Sequence, residues 1–282
     1  MNWGEKNIRY VFTSLERSLP LYVESIGYSA WERAFQRADG YPFYHWLHTL
    51  DGEGCFEMHG EEMKLAKGMG VLLAPFIPHS YYPTSERWST IYITYGGASS
   101  ASIMKALEMD TFTFYEEDAD QSFDQLFRDW FERIAASTTL SSIEGSTALY
   151  AFLMQLHKFG MFNQQPSLSQ TYQTLQPIVT WMERNLSHNI GIQEIAEQAH
   201  VAVQQLNESF QQAFGLTPYS FLIQLRIREA KRIMLDYPDL ALREVAEQTG
   251  FNDVSHFVAT FRKKEGLTPG KYRELHLVKM YK

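Results

Sequence analysis

Two groups of side chains near the C-terminus have the residue types that read nucleic acid. Gln204, Gln205, Asn207, Glu208 and Gln211 crowd the polar side of one helical segment. Asn and Gln can pair in bidentate fashion with adenine edges, and Glu can accept from the N4 amino group of cytosine. Asp253, Val254, Ser255, Val258, Ala259 and Arg262 occupy the matching side of a later segment, with Lys263, Lys264 and Lys271 beyond. Clustered cations of this kind neutralise phosphates. This chemistry is recognition rather than bond-making. No Ser-His-Asp order, phosphate loop or paired-acid motif stands out, so no catalytic residue and no enzyme activity are expected.

Metal chemistry is not expected either. His45 and His48 are three apart, which in a strand sends them to opposite sides. His59 lies by a turn, and His79 has no obvious partners in the sequence. Cys55 is the single cysteine, so an internal disulfide framework and a multi-cysteine metal site are excluded and a reducing cytoplasm fits. No cofactor is expected. The N-terminus has no basic start followed by an apolar run. No stretch approaches the roughly 18 apolar residues of a membrane span, so cytoplasmic localisation is expected, with no membrane partner.

A second site is suggested nearer the N-terminus. A sugar pocket needs aromatic faces and a few polar groups for hydroxyls. Tyr44, Trp46 and His48 alternate onto one face of a strand, and Thr90, Tyr92 and Thr94 alternate likewise. For each aromatic, a place in the core is the first reading and a ligand contact the second.

Both groups need elements to position them. Residues 40–115 read as short strands rich in Tyr, Phe, Trp, Val, Ile and Thr. The runs are Tyr41–Leu50, Cys55–His59, Met63–Leu65, Gly70–Ala74, His79–Tyr82, Ser89–Tyr95 and Thr111–Tyr115. Turn signals separate them at Asp51-Gly52-Glu53-Gly54, His59-Gly60, Lys67-Gly68, Pro75 and Pro78. Such spacing suggests a sandwich or barrel. Across 121–160, Phe123, Leu126, Phe127, Trp130, Phe131 and Ile134 recur at helical spacing, as do Leu149, Phe152, Leu153 and Leu156. These two amphipathic helices serve either to cover the barrel or to join two subunits. Phe162–Gln170 is the best linker candidate.

From Thr171 the pattern is helical, and it repeats. Ile195-Ala196-Glu197-Gln198, Val201, Leu206, Phe210 and Gly215-Leu216-Thr217-Pro218 return as Val245-Ala246-Glu247-Gln248, Phe251, Phe257, Phe261 and Gly266-Leu267-Thr268-Pro269. The offset is 50 residues at the start and 51 at the end, a one-residue difference near the turn. Each copy has the design of a helix-turn-helix. Gly250 can take positive φ in the second turn, and Asp253 or Ser255 could cap the helix that follows. Thr217 and Pro218 read as the cap and first residue of a connecting helix, which should stop near Asp236 ahead of Pro238. At roughly 27–30 Å such a rod could hold two recognition helices about one DNA turn apart.

These motifs resemble the AraC/XylS family of transcription regulators. Gly250-Phe251-x-Asp253-x-Ser255-x-Phe257-x-x-x-Phe261-Arg262-Lys263 is similar to its signature, as is Gly266-x-Thr268-Pro269-x-x-Tyr272-Arg273. Arg226-Ile227-x-x-Ala230-Lys231 is similar to its connecting helix. The likeness covers roughly residues 175–275. This chain departs from the family where it has Glu208 and Ala259, positions often held by arginine, and Gln211, often lysine. Upstream, Gly52-x-Gly54, Gly60, Gly68-x-Gly70, Pro75, Pro78-His79-x-Tyr81 and Trp88 look like the family's cupin-type barrel. The resemblance implies a sugar or similar small molecule bound there. Arg37, Tyr81, Thr90 and Tyr92 fall at or near the implied sugar contacts, and His79 and Trp88 join them as candidates.

The expected architecture is therefore an α+β multidomain chain. A cupin-like β-barrel with flanking helices, for ligand sensing and dimerisation, occupies 1–162. A linker spans 163–172, and an all-α double helix-turn-helix domain spans 173–282. The length of 282 residues allows two cores. The net charge of −8 is unevenly spread: residues 1–170 hold 12 Lys+Arg against 21 Asp+Glu, and residues 253–282 hold 7 against 3. The basic footprint sits at the C-terminal end. The expected partners are double-stranded DNA, a sugar-like effector, a second copy through 121–160, and RNA polymerase. The competing readings are a cupin enzyme with a helical appendage and a regulator whose barrel serves only dimerisation.

Overall fold

A computed structural model describes residues 3–12, 18–118, 122–136, 142–162 and 165–280 of the chain. They fall into two compact units, Met1–Ser169 and Gln170–Lys282. Residues 121 and 137–141 of the expected dimerisation segment, and 163–164 of the expected linker, lie outside the described residues.

The first unit is a cupin-like antiparallel barrel. Its strands are β1 (Ile8–Val11), β2 (Tyr22–Ser29), β3 (Phe35–Arg37), β4 (Tyr44–Met58), β5 (Glu61–Ala66), β6 (Met69–Leu73), β7 (His79–Gly96), β8 (Phe112–Glu117) and β9 (Gly160–Phe162). Their order is β1-β2-β7-β4-β6-β8-β9, with β3 on β7 and β5 on β4.

The Asp51–Gly54 stretch, expected as a turn, is no turn. The chain runs through it as one 15-residue strand, β4. His79–Tyr82 and Ser89–Tyr95 are likewise parts of one 18-residue strand, β7. The ladder between the two shifts register at Thr49/Asp51 and at Gly52/Gly54. The glycines serve a bulged bend that curls the sheet. Gly52 has φ of 75°, and a Cβ on Gly54 would come within 2.5 Å of the Trp88 ring. Strands β1 and β2 lie upstream of the stretch read as strands. A short helix, α1 (Ser100–Ala106), also went unread.

The register divides the sheet into two faces. Trp46 pairs with Ile93 and His48 with Ile91, while His45 pairs with Thr94, Leu47 with Tyr92 and Thr49 with Thr90. Side chains directly opposite share a face. The first face packs on α2 (Phe123–Ala136) and α3 (Ser142–Phe159). Their apolar stripes, Phe123, Phe127, Trp130, Phe131 and Ile134 with Leu149, Phe152, Leu153 and Leu156, are buried in that core. Covering the barrel is thus what those stripes do. The second face encloses Leu47, Phe56, Leu65, Val71, Leu73, Tyr81 and Trp88.

The second unit is all helical: α4 (Leu168–Arg184), α5 (Ile192–Gln198), α6 (Val203–Phe214), α7 (Pro218–Asp236), α8 (Leu242–Gln248), α9 (Val254–Glu265) and α10 (Pro269–Met280). The expected linker is helical from Leu168 onward. Helix α7 begins as read, with Thr217 Oγ1 accepting from the Ser220 N–H at 3.2 Å and Pro218 in the first turn. It ends at Asp236, two residues before Pro238. Two cores share it. Leu222 and Leu225 join α4, α5 and α6, whereas Ile223, Ile227, Ala230, Ile233 and Met234 join α8, α9 and α10.

Candidate functional site

The two helix-turn-helix units are built alike. In the first turn the Val201 N–H donates to Ala196 O at 3.2 Å, and in the second the Phe251 N–H donates to Ala246 O at 2.9 Å. His200 and Gly250 occupy the same left-handed position, with φ of 55° and 75°. The one-residue change in offset lies just after this turn. It gives the second unit Asp253, whose carboxylate accepts from the Ser255 and His256 N–H groups and is held below its ordinary pKa by them. The first unit has Ala202 there, which has no side-chain cap. Both second helices end on a left-handed glycine, Gly215 and Gly266, whose N–H donates to Gln211 O and Arg262 O at 2.9 Å.

These frames present two exposed faces. On α6, Leu206, Phe210 and Ala213 are buried. Gln204, Gln205, Glu208 and Gln211 are exposed, and Asn207 is half-buried. Gln204 Nε2 donates to Glu208 Oε1 at 3.0 Å, which leaves the amide oxygen and the second carboxylate oxygen as acceptors. Helix α6 has no Lys or Arg. On α9, Phe257 and Phe261 are buried, Ser255, Ala259, Arg262, Lys263 and Lys264 are exposed, and Val254 and Val258 are half-buried. Val254, Ser255, Val258, Ala259, Arg262 and Lys263 line one shallow concavity with Thr268. Two residues grouped with this face have local partners. Asp253 caps α9, and Lys271 sits on α10, paired with Glu274 at 3.0 Å.

A buried arginine ties the pair together. Arg226 on α7 is 3% exposed. Its Nε donates to Leu186 O at 2.9 Å and its Nη2 to His188 O at 2.7 Å. The same guanidinium lies 5.9 Å from the Phe251 ring centroid in the second turn.

The barrel interior is the second candidate. Thr90 Oγ1 donates to Glu32 Oε2 at 2.6 Å, and Thr94 Oγ1 to Glu24 Oε2 at 2.6 Å. The Tyr41 hydroxyl donates to the same Glu24 oxygen at 3.2 Å. Arg37 stacks its guanidinium on Tyr41, 4.2 Å from the centroid, and comes within 3.4 Å of His45 Nδ1. The His45 ring lies 5.8 Å from His79 and 6.2 Å from Tyr92. Burial pushes the pKa of both histidines down, so they are neutral near pH 7. It pushes Tyr81 and Tyr92 up. His79 Nδ1 bonds to Ile77 O at 2.8 Å, while its buried Nε2 has no hydrogen-bond partner among the described residues. A Cβ on Gly27 would sit 2.3 Å from the Tyr92 ring, so glycine lets that ring lie flat on β2.

Of the residues read as ligand contacts, Arg37, His79, Tyr81, Trp88, Thr90 and Tyr92 share this interior. Trp88 closes its depth, with Nε1 donating to Thr49 Oγ1 at 3.0 Å. Tyr44, Trp46 and His48 do not belong to it. They point to the helical face: Trp46 stacks on Phe127 and meets Phe152 edge-on, both at 4.8 Å. His48 Nδ1 bonds to the Tyr115 hydroxyl at 2.7 Å. The two stripes read from the sequence lie on opposite sides of one sheet. His45, Glu24 and Glu32 were missed. His45 was one residue off the stripe chosen, and the acids lie outside the stretch read as aromatic strands. Among the described residues no group of three His, Cys, Asp or Glu could hold a metal ion.

Residues 20–153 match the family described as the AraC-like ligand-binding domain, and residues 195–275 match a helix-turn-helix domain. The chain belongs to the AraC family. The activator RhaR of Enterobacter sp. is 29% identical over 134 residues, 47% of each chain. The Msm operon regulatory protein of Streptococcus mutans is 24% identical over 231 residues, 80% of this chain and 82% of the other. Apart from such longer matches, this AraC-family chain spans about half or less of the curated relatives first matched. The solved C-terminal domain of the response regulator yesN of Fusobacterium nucleatum is 28% identical, covering 36% of this chain and 98% of that one at a TM-score of 0.34. No described helix is long and apolar enough to cross a membrane.

Proposed function

We propose that this AraC-family chain is a sequence-specific DNA-binding regulator of transcription, controlled by a sugar or oligosaccharide held in its barrel. The observation that carries the DNA reading is the pair of exposed helix faces, α6 and α9, mounted on one shared helix with their apolar sides fully used in two cores. Helix α9 docks through Val254, Ser255, Val258 and Ala259, with Arg262, Lys263 and Lys264 on phosphates. Helix α6 adds Gln204, Gln205, Asn207, Glu208 and Gln211. The neutral histidines, the tyrosines and the hydroxyls around Arg37 support a sugar as effector. Ligand in the barrel acts by population shift, biasing how the DNA-binding unit is presented. The regulator works in the cytoplasm, pairs as a dimer through α3, and contacts RNA polymerase.

Selection of bound duplexes from a random pool, with and without candidate sugars, tests this. The expected result is one enriched motif whose recovery changes with a particular sugar. An unselective pool would defeat the reading. The cupin-enzyme alternative has no observation in its favour.

A further inference from the structure

We infer that α9 reads thymine through its C5-methyl groups, using Val254, Val258 and Ala259 as an apolar reading edge. This rests on the DNA-binding reading above and names what that helix selects. The base-reading part of a recognition helix is its N-terminal half. That half of α9 presents two half-buried valines and an exposed alanine, with Ser255 and His256 as its exposed polar side chains. Nothing there can make the bidentate pairs that mark guanine or adenine.

Of these three residues only Val258 also rests one side on the core. Phe257 and Phe261 already fill it at 0% exposure, yet Val254, Val258 and Ala259 line the same outward concavity as Arg262 and Lys263. Thymine is the base that offers an apolar group in the major groove, and aliphatic contact with its methyl is the matching chemistry. The cations follow in the last turn, where they hold phosphates and fix the valines over the bases. That basic flank fits a polyanion better than an apolar protein partner. Helix α6 is the opposite case, with amide and carboxylate acceptors and no cation, so methyl sensitivity belongs to one half of the site.

The test uses the full chain and the duplex it selects from a random pool. Each thymine is replaced in turn by deoxyuridine, which removes the methyl and leaves base pairing intact. Two or more thymines, all in one half-site, should each lose about fourfold in affinity, the factor matching roughly 0.8 kcal/mol per buried methyl. Val258→Ser should weaken binding to the thymine duplex similarly and make it indifferent to at least one of those replacements. Val254→Ser, at the first helical residue where folding is least disturbed, should do the same at another. A chain that selects a motif but ignores every methyl overturns this inference and leaves the regulator reading intact. So do serine variants that keep full uracil sensitivity. A chain that selects no motif overturns both.

Discussion

The guanidinium of Arg226 occupies the space a side chain on Gly250 would need. A Cβ there would lie 2.9 Å from the Arg226 Cζ and Nε and 2.1 Å from Leu186 O. The glycine of the second turn is therefore required twice, by its φ of 75° and by the arginine packed against it. The same arginine caps two carbonyls ahead of the first helix-turn-helix. One side chain thus links the entry to the first unit and the turn of the second.

Gly250→Ala should accordingly destabilise the C-terminal unit by more than the ~1 kcal/mol of a left-handed alanine, because backbone as well as side chain must move. Arg226→Met should cost about 2–4 kcal/mol by removing two charge-assisted hydrogen bonds, to Leu186 O and His188 O. His200→Gly is the contrasting case: it relieves positive φ at an exposed turn and should be neutral or stabilise by up to ~1 kcal/mol. Urea midpoints of the three variants check this. An alanine at 250 as harmless as the glycine at 200 would contradict it.

The two sheet faces should separate stability from ligand binding. Trp46→Ala empties an aromatic core against α2 and α3 and should cost about 3–5 kcal/mol. Tyr92→Phe keeps the ring on Gly27 and removes only a hydroxyl, so folding should change by less than about 1.5 kcal/mol. Sugar affinity should fall tenfold or so, as for a lost polar contact of ~1.4 kcal/mol. Thermal melts read the first effect and calorimetric titration the second.

Much of this was legible in the sequence, and the part that was not has a physical cause. The repeat was plain because each copy requires the same caps and turn: Gly215 and Gly266, Thr217 and Thr268, Ala196 and Ala246. The connecting helix was equally plain from Thr217-Pro218 and Pro238. The barrel was harder. Alternation along β4 shows that Tyr44, Trp46 and His48 share a face, but which face is interior depends on pairing with β7 and on α2 and α3. Glycines at 52 and 54 carry the same residue signal in a bulge as in a hairpin. Glu24 and Glu32 reach the site from segments whose sequence carries no motif for it.

Acid should weaken the N-terminal unit. Burial holds His48 down to about 3 and keeps His45 and His79 below the ordinary histidine range. Folded and unfolded forms are both neutral at these sites above about pH 6.5. As pH falls below that, the unfolded chain binds protons that the folded one refuses, so stability drops, at ~1.4 kcal/mol per pH unit for each fully buried histidine, until the folded pKa is reached. His48 alone should remove about 2 kcal/mol between pH 6.5 and 5. Urea melts at pH 7.5 and 5.0 check this, and His48→Gln should flatten the difference. Equal slopes would be a contradiction.

Of the two roles open to the apolar stripes of 121–160, the buried residues serve the first, covering the barrel, so a dimer of the proposed kind would use the outer side of α3. Phe127, Phe152 and their neighbours are consumed by the barrel. On α3, Ile143, Tyr150 and Met154 remain 68%, 49% and 39% exposed, at helical spacing along one side. Tyr150→Glu with Met154→Glu should turn a dimer into a monomer in sedimentation while the melting temperature stays within a few degrees. A variant still dimeric would move the interface elsewhere.

The central claim is that α6 and α9 enter successive major grooves on one side of a duplex. Hydroxyl-radical footprinting on the selected duplex measures it most directly. Helix α7 has 19 residues, about 28 Å of rod, so two protected patches should lie on one face about one helical turn apart, near 34 Å. Replacing Lys263 and Lys264 by Ala should weaken the patch under α9 on every sequence and reduce the salt slope by about 2. A single patch, patches on opposite faces, or an unchanged salt slope would contradict the account.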